Sequence, residues 1–99
     1  MMVILKKPVE FIWDKGDKDK NWLKHRVSNQ ECEEAFFDEN KKITKDLRHS
    51  KKEKRYILLG KTKKNRLLFI VFTIRNKKIR VISARDIKKK EVYLYEKTA

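Results

Sequence analysis

The run Leu67-Leu68-Phe69-Ile70-Val71-Phe72, continued by Thr73, decides how the rest of the chain is arranged. It falls well short of the roughly 20 apolar residues that span a bilayer. Its length and its β-branched and aromatic side chains are those of a strand. Because its apolar character does not alternate, the strand is expected to be covered on both faces, by a helical layer and a second layer. Downstream, Arg75-Asn76-Lys77-Lys78 makes a polar turn. Beyond it, Ile79, Val81 and Ser83 alternate with Arg80, Ile82 and Ala84, so one face of that strand presents an arginine among apolar neighbours. Upstream, Arg55 to Leu59 reads as a strand closed by Gly60, and Lys42 to Asp46 as a shorter one.

The N-terminal half reads as strand, helix, helix. Val9, Phe11 and Trp13 alternate with Glu10 and Ile12. Asp14 is a suitable N-cap for a helix to about Lys24, in which Trp22 and Leu23 supply apolar contacts. Ser28-Asn29-Gln30-Glu31 is a capping box, after which Cys32, Ala35 and Phe36 share a face. Trp13 and Trp22 occupy apolar positions of their elements, and both are expected in the core. Cys32 reads as a small core residue. At the other end, Asp86 is expected to cap a final helix carrying Ile87, Glu91, Leu94 and Tyr95.

The resulting order is β-α-α-β-β-β-β-α. Short turns between successive strands favour an antiparallel sheet of about four to five strands, an α+β fold with two N-terminal helices on one face and a helix at the C-terminus. At 99 residues, 1–99 is expected to form a single domain. One cysteine and the short stretch before Pro8 favour the cytoplasm over a secreted, disulfide-bonded protein, and no membrane partner is expected.

Charge adds direction. The chain carries a net +14, yet residues 1–40 hold seven Lys/Arg against nine Asp/Glu. Residues 41–90 hold twenty Lys/Arg against only Asp46, Glu53 and Asp86. A field concentrated in this way suits a polyanion, since each neutralised phosphate releases condensed counterions. Solvated surface lysines are the plainer account of much of it.

No zinc-ligand spacing, P-loop or glycine-rich phosphate cradle occurs, and no metal or cofactor is expected. Cleavage of RNA needs neither. The neighbouring 2′-OH is the nucleophile, and the protein has only to move protons and stabilise a charged phosphorane. Arginines suit the phosphorane, and a histidine suits the proton. Of the two histidines, His49 precedes the basic strand that carries Arg55.

Taken together, these pieces resemble the BrnT toxins of bacterial type II toxin–antitoxin modules. The resemblance rests on Phe11-Ile12-Trp13-Asp14, Asn21 with Lys24-His25, Val27-Ser28 and Glu33-Glu34-Ala35. It continues through Asp46-Leu47-Arg48-His49-Ser50 with Glu53 and Arg55, Leu59-Gly60, Arg66-Leu67-Leu68 and Phe72-Thr73. It ends with Ile79 to Arg85, Glu91, Tyr95 and Glu96. It implies a RelE-like fold and a metal-independent RNA endonuclease that blocks translation. The implied partner is a ribbon-helix-helix antitoxin, BrnA-like, through which the pair would reach operator DNA.

Arg55, Arg80 and Arg85 match the family's basic positions, and His49 joins them as a candidate catalytic group. Lys52, Lys54, Thr73, Lys78 and Ser83 are candidate RNA contacts. Arg26 stands where the family commonly has glycine, and the connection there is expected to avoid positive φ. Each assignment has a structural counterpart: Arg80 and Arg85 pairing with Glu91 or Asp86, and the Thr73 and Ser83 hydroxyls satisfying backbone groups. A non-catalytic nucleic-acid-binding module and an interaction protein are the competing function classes.

Overall fold

A computed structural model describes residues 9–13, 20–48 and 53–97. Among these residues the elements run β1 (Phe11–Ile12), α1 (Lys20–His25), α2 (Asn29–Phe36), β2 (Lys42–Lys45), β3 (Tyr56–Lys61), β4 (Leu67–Arg75), β5 (Lys78–Asp86), a 3₁₀ turn (Lys89–Glu91) and α3 (Val92–Glu96). This is the order expected from the sequence. The five strands form one sheet in the order β1-β5-β4-β3-β2, which puts the apolar run at its centre.

The sheet is mixed, not wholly antiparallel, because β1 pairs in parallel with β5 through Phe11↔Ile79 and Ile12↔Arg80. Short turns dictate antiparallel pairing only for strands they join directly, and β1 reaches β5 from the far end of the sequence. As β1 spans only two residues, α1 takes over the β5 edge beyond it. Asn21, buried in α1, accepts the Ala84 N–H at 3.0 Å, and Lys20 Nζ donates to the Ile82 carbonyl at 3.5 Å.

One sheet face and α2 enclose the core. Cys32, Ala35 and Phe36 pack with Ile43, Leu58, Leu68, Ile70, Phe72, Ile79, Val81 and Ala84. Phe36 meets Phe72 edge-on at 4.9 Å and Phe11 at 5.2 Å. The capping box forms: Glu31 N–H donates to Ser28 Oγ, and Ser28 N–H donates to Glu31 Oε1, each at 3.0 Å. Burial, reinforced by Glu31 and Glu33, pushes the Cys32 thiol up to about 12, which makes it unreactive near neutral pH.

Gly60 does not end β3. It lies inside the strand opposite Leu68, and a Cβ there would sit 2.5 Å from the Ala35 carbonyl oxygen. The glycine marks a close approach of the α2 backbone to the sheet. The β4–β5 hairpin turns on Asn76 and Lys77, both at positive φ (49° and 66°), as a two-residue turn that follows the strand twist requires.

Two other expectations are corrected here. Trp22 is 47% exposed, with the Arg26 guanidinium 5.5 Å from its ring, because α1 turns the buried Asn21, not Trp22, toward β5. Trp13 does pack against the core, and its Nε1–H donates to Glu33 Oε2 at 2.8 Å. Asp86 ends β5 and caps no helix, while Glu91 accepts the Lys88 N–H at 2.8 Å and closes the 3₁₀ turn. The proposed cap Asp14 lies outside the described residues.

Arg26 adopts φ 55°, contrary to the expectation that it would avoid that region. Two bonds over-determine it: its N–H donates to the Trp22 carbonyl at 2.9 Å, and its carbonyl accepts from Arg66 Nη1 at 2.8 Å. Arg66 is the cross-brace of this region. Its Nε and Nη2 hold Asp86 at 2.6 and 3.1 Å, Nη1 reaches Glu31 Oε2 at 3.1 Å, and Nη2 donates to the His25 carbonyl at 3.2 Å. The hydrogen bonds from Arg66 hold the Asp86 carboxyl below the usual range.

Candidate functional site

The face of the sheet turned away from α1 and α2 carries the candidate site, and a bulge in β5 composes it. Val71 pairs with Ser83 but Phe72 pairs with Val81, so Ile82 is the extra residue. Simple alternation separates Arg80 from Ser83. With the bulge, register places Arg80 beside Thr73, Ser83 beside Val71 and Arg85 beside Phe69, all on one face. Same-face rungs are about 7 Å apart along a strand, so the three span about 14 Å. Ile57, which pairs with Val71, extends the middle rung onto β3.

A hollow of ≈ 450 Å³ lies over this surface, lined by Asp46, Arg48, Arg55, Ile57, Phe69, Val71, Ile82 and Ser83. Its floor is apolar and only partly buried. The central strand is therefore covered fully on the helical side and incompletely on this one. At one end, the second-face residues Lys61 and Arg85 meet the C-terminal elements: Lys61 Nζ is 5.7 Å from the Tyr95 ring, and Arg85 pairs with Glu91. Tyr95 donates its hydroxyl hydrogen to Asp38 Oδ2 at 2.6 Å, which ties α3 to the loop just past the α2 C-terminus. Burial and the Asp38 charge both push the Tyr95 phenol up.

Two anchors fix Arg55 at the rim of the hollow. Its carbonyl accepts the Asp46 N–H at 2.8 Å, and the preceding Lys54 carbonyl accepts the Thr73 hydroxyl at 2.8 Å. Thr73 is buried and thus serves the backbone; Lys54 itself is exposed. Asp46, also buried, accepts the Arg48 N–H at 3.2 Å. Arg85 holds the opposite end, its guanidinium 4.0 Å from the Phe69 ring centroid, with Nη1 and Nη2 on the two Glu91 oxygens at 3.0 and 2.9 Å.

Of the candidates from sequence, Arg55 and Ser83 line the hollow, and Arg80 and Arg85 share its face on the flanking rungs. Lys78 is not brought to it. It lines a separate hollow of ≈ 390 Å³ with Val9, Glu10, Phe11, Trp13 and Glu33. His49 and Lys52 lie outside the described residues, although Arg48, next to His49, lines the hollow. The sequence reading did not single out Arg48, Asp46, Ile57, Phe69, Val71 or Ile82 for a site. The apolar members looked like core: Ile57, Phe69 and Val71 share this face by strand alternation, and the bulge adds Ile82 to them.

The fold and this face define a small basic α+β protein with arginines arranged around an open, apolar-floored hollow. Residues 13–91 match the family described as ribonuclease toxin, BrnT, of type II toxin-antitoxin system, and the chain belongs to that family. The matched span includes every residue of the hollow, and membership carries with it an RNA target and a cognate antitoxin. A search of curated proteins finds no match. Among the described residues, no helix is long and apolar enough to cross a membrane.

Proposed function

We propose that the chain is a metal-independent endoribonuclease that stops translation by cutting RNA on the arginine-bearing sheet face. The observation that supports this most is the bulge-set alignment of Arg80, Ser83 and Arg85 on the face where Arg55 rims the hollow. The 2′-OH beside the scissile phosphate attacks phosphorus and gives up its proton to a base. The 5′-oxygen leaves with a proton from an acid, and the products are a 2′,3′-cyclic phosphate and a 5′-hydroxyl.

In this reading His49 moves a proton, and Arg55, Arg80 and Arg85 stabilise the phosphorane as fixed cations. Ser83 contacts the ribose-phosphate from the middle rung. Thr73 acts through Arg55, by holding the Lys54 carbonyl. Lys52, Lys54 and Lys78 attract the flanking strand through long-range charge. The whole of 1–99 acts as one RelE-like toxin domain in the cytoplasm. A BrnA-like ribbon-helix-helix antitoxin neutralises it and carries it to operator DNA.

The test is direct. The purified chain, with a chelator present, is incubated with single-stranded RNA, and the ends are analysed. Cyclic or 3′-phosphate ends are expected. RNA that is bound but left intact would assign the chain to the non-catalytic binding class.

A further inference from the structure

The hollow has a floor that phosphate chemistry does not require. Arginines at a rim suffice to hold a phosphate. Here Ile57, Val71, Phe69 and Ile82 form a partly exposed apolar floor in the middle of a sheet, in a chain with net charge +14. An open apolar surface bordered by two arginines, a hydroxyl and a carboxylate has the make-up of a ligand site. Its volume, ≈ 450 Å³, falls in the ordinary range for small-molecule sites, which is about 300–1,000 Å³.

Resting on the ribonuclease reading above, we infer that the hollow receives one unstacked nucleobase of the substrate, next to the scissile phosphate. Its flat face lies on Ile57, Val71 and the Phe69 edge, while Arg48 and Arg55 hold the adjoining backbone. Phe69 is suited to this by its partner. The Arg85 guanidinium lies against its ring at 4.0 Å, and Glu91 keeps that guanidinium in place. Aromatic rings and guanidinium planes are the surfaces on which splayed-out RNA bases stack.

A base paired within a duplex cannot enter, so the substrate class is RNA unpaired at the cleavage point. Ser83 on the wall adds a hydroxyl within the same enclosure, able to meet the polar edge of whichever base enters.

The experiment uses the intact chain and one short RNA with a mapped cleavage position. Three forms are compared: unmodified, carrying an abasic ribose that keeps the 2′-OH and phosphate at that position, and annealed to its complement. Loss of the base is expected to lower kcat/KM at least tenfold, the order of one base-stacking contact. Annealing is expected to suppress cleavage at that position. The variant Phe69→Leu is expected to narrow the difference between unmodified and abasic RNA several-fold, whereas loss of folding, which lowers both rates alike, leaves that ratio unchanged. Equal cleavage of abasic and unmodified RNA overturns the base-holding hollow and leaves the ribonuclease reading standing. Failure to cut any of the three overturns the ribonuclease reading itself, and this inference with it.

Discussion

Both terminal nitrogens of Arg85 are held by the carboxylate of Glu91, at 3.0 and 2.9 Å. The hydrogen bonds from Arg85 set the Glu91 carboxyl below its ordinary value of 4.5, against the opposing effect of burial. A carboxylate with a lowered folded pKa stabilises the protein fully above its unfolded pKa and loses that contribution as pH falls through the lower folded value. Wild type should therefore lose stability on acidification below about pH 4.5, and Glu91→Gln should lose less over the same window. At neutral pH the variant should be less stable by about 1 kcal/mol, given the bidentate geometry and partial exposure. Urea melts at the two pH values measure both. An unchanged acid dependence would contradict the pairing.

Arg66 joins the α1–α2 connection, the capping box and the end of β5 through one guanidinium. Arg66→Lys supplies the charge without the planar fork, so it should lose most of the network. A loss of about 2 kcal/mol is expected, lowering Tm by about 10 °C in a chain of this size. A shift within 2 °C would show the brace to be dispensable.

Gly60 admits no side chain while α2 keeps its place, since the carbonyl that a Cβ would strike belongs to the Ala35 backbone. Gly60→Ala should cost about 2–3 kcal/mol, the scale of forced overpacking. The denaturation midpoint would fall accordingly, and wild-type stability would contradict the close approach.

At Arg26 the backbone, not the side chain, sets what is tolerated. Glycine relieves the left-handed strain but gains freedom in the unfolded chain and loses the contact with Trp22, so Arg26→Gly should stay within about 0.5 kcal/mol of wild type. Arg26→Val, β-branched, should cost at least 1 kcal/mol more, roughly the penalty for left-handed backbone. Equal melting temperatures for the two variants would refute the positive φ.

Much of the fold was legible because its signals are local. Ser28 and Glu31 announce the start of α2, the Leu67–Phe72 run gives the central strand, and polar residues give the turn at Asn76-Lys77. What escaped depends on distant partners. Ile82 looks like any apolar strand residue, and only pairing with β4 makes it a bulge that carries Arg80 onto the face of Ser83. Gly60 looks like a stop until α2 is laid against it. Arg66 gives no local hint, since the residues it holds lie 20 to 41 positions away. At the site, the resemblance to the BrnT family pointed to Arg55 and Ser83. The apolar floor was hidden because a partly exposed Val71 and a buried Ile70 look alike in sequence.

The central claim is that RNA is held on the sheet face opposite α2. It is tested most directly by methyl NMR of the chain with an RNA made uncleavable by 2′-O-methylation. The account predicts shifts in the methyl signals of Ile57, Val71 and Ile82, while Ile43 and Ile70 in the core stay where they are. Shifts confined to α1 and α2, with the floor of the hollow silent, would contradict it.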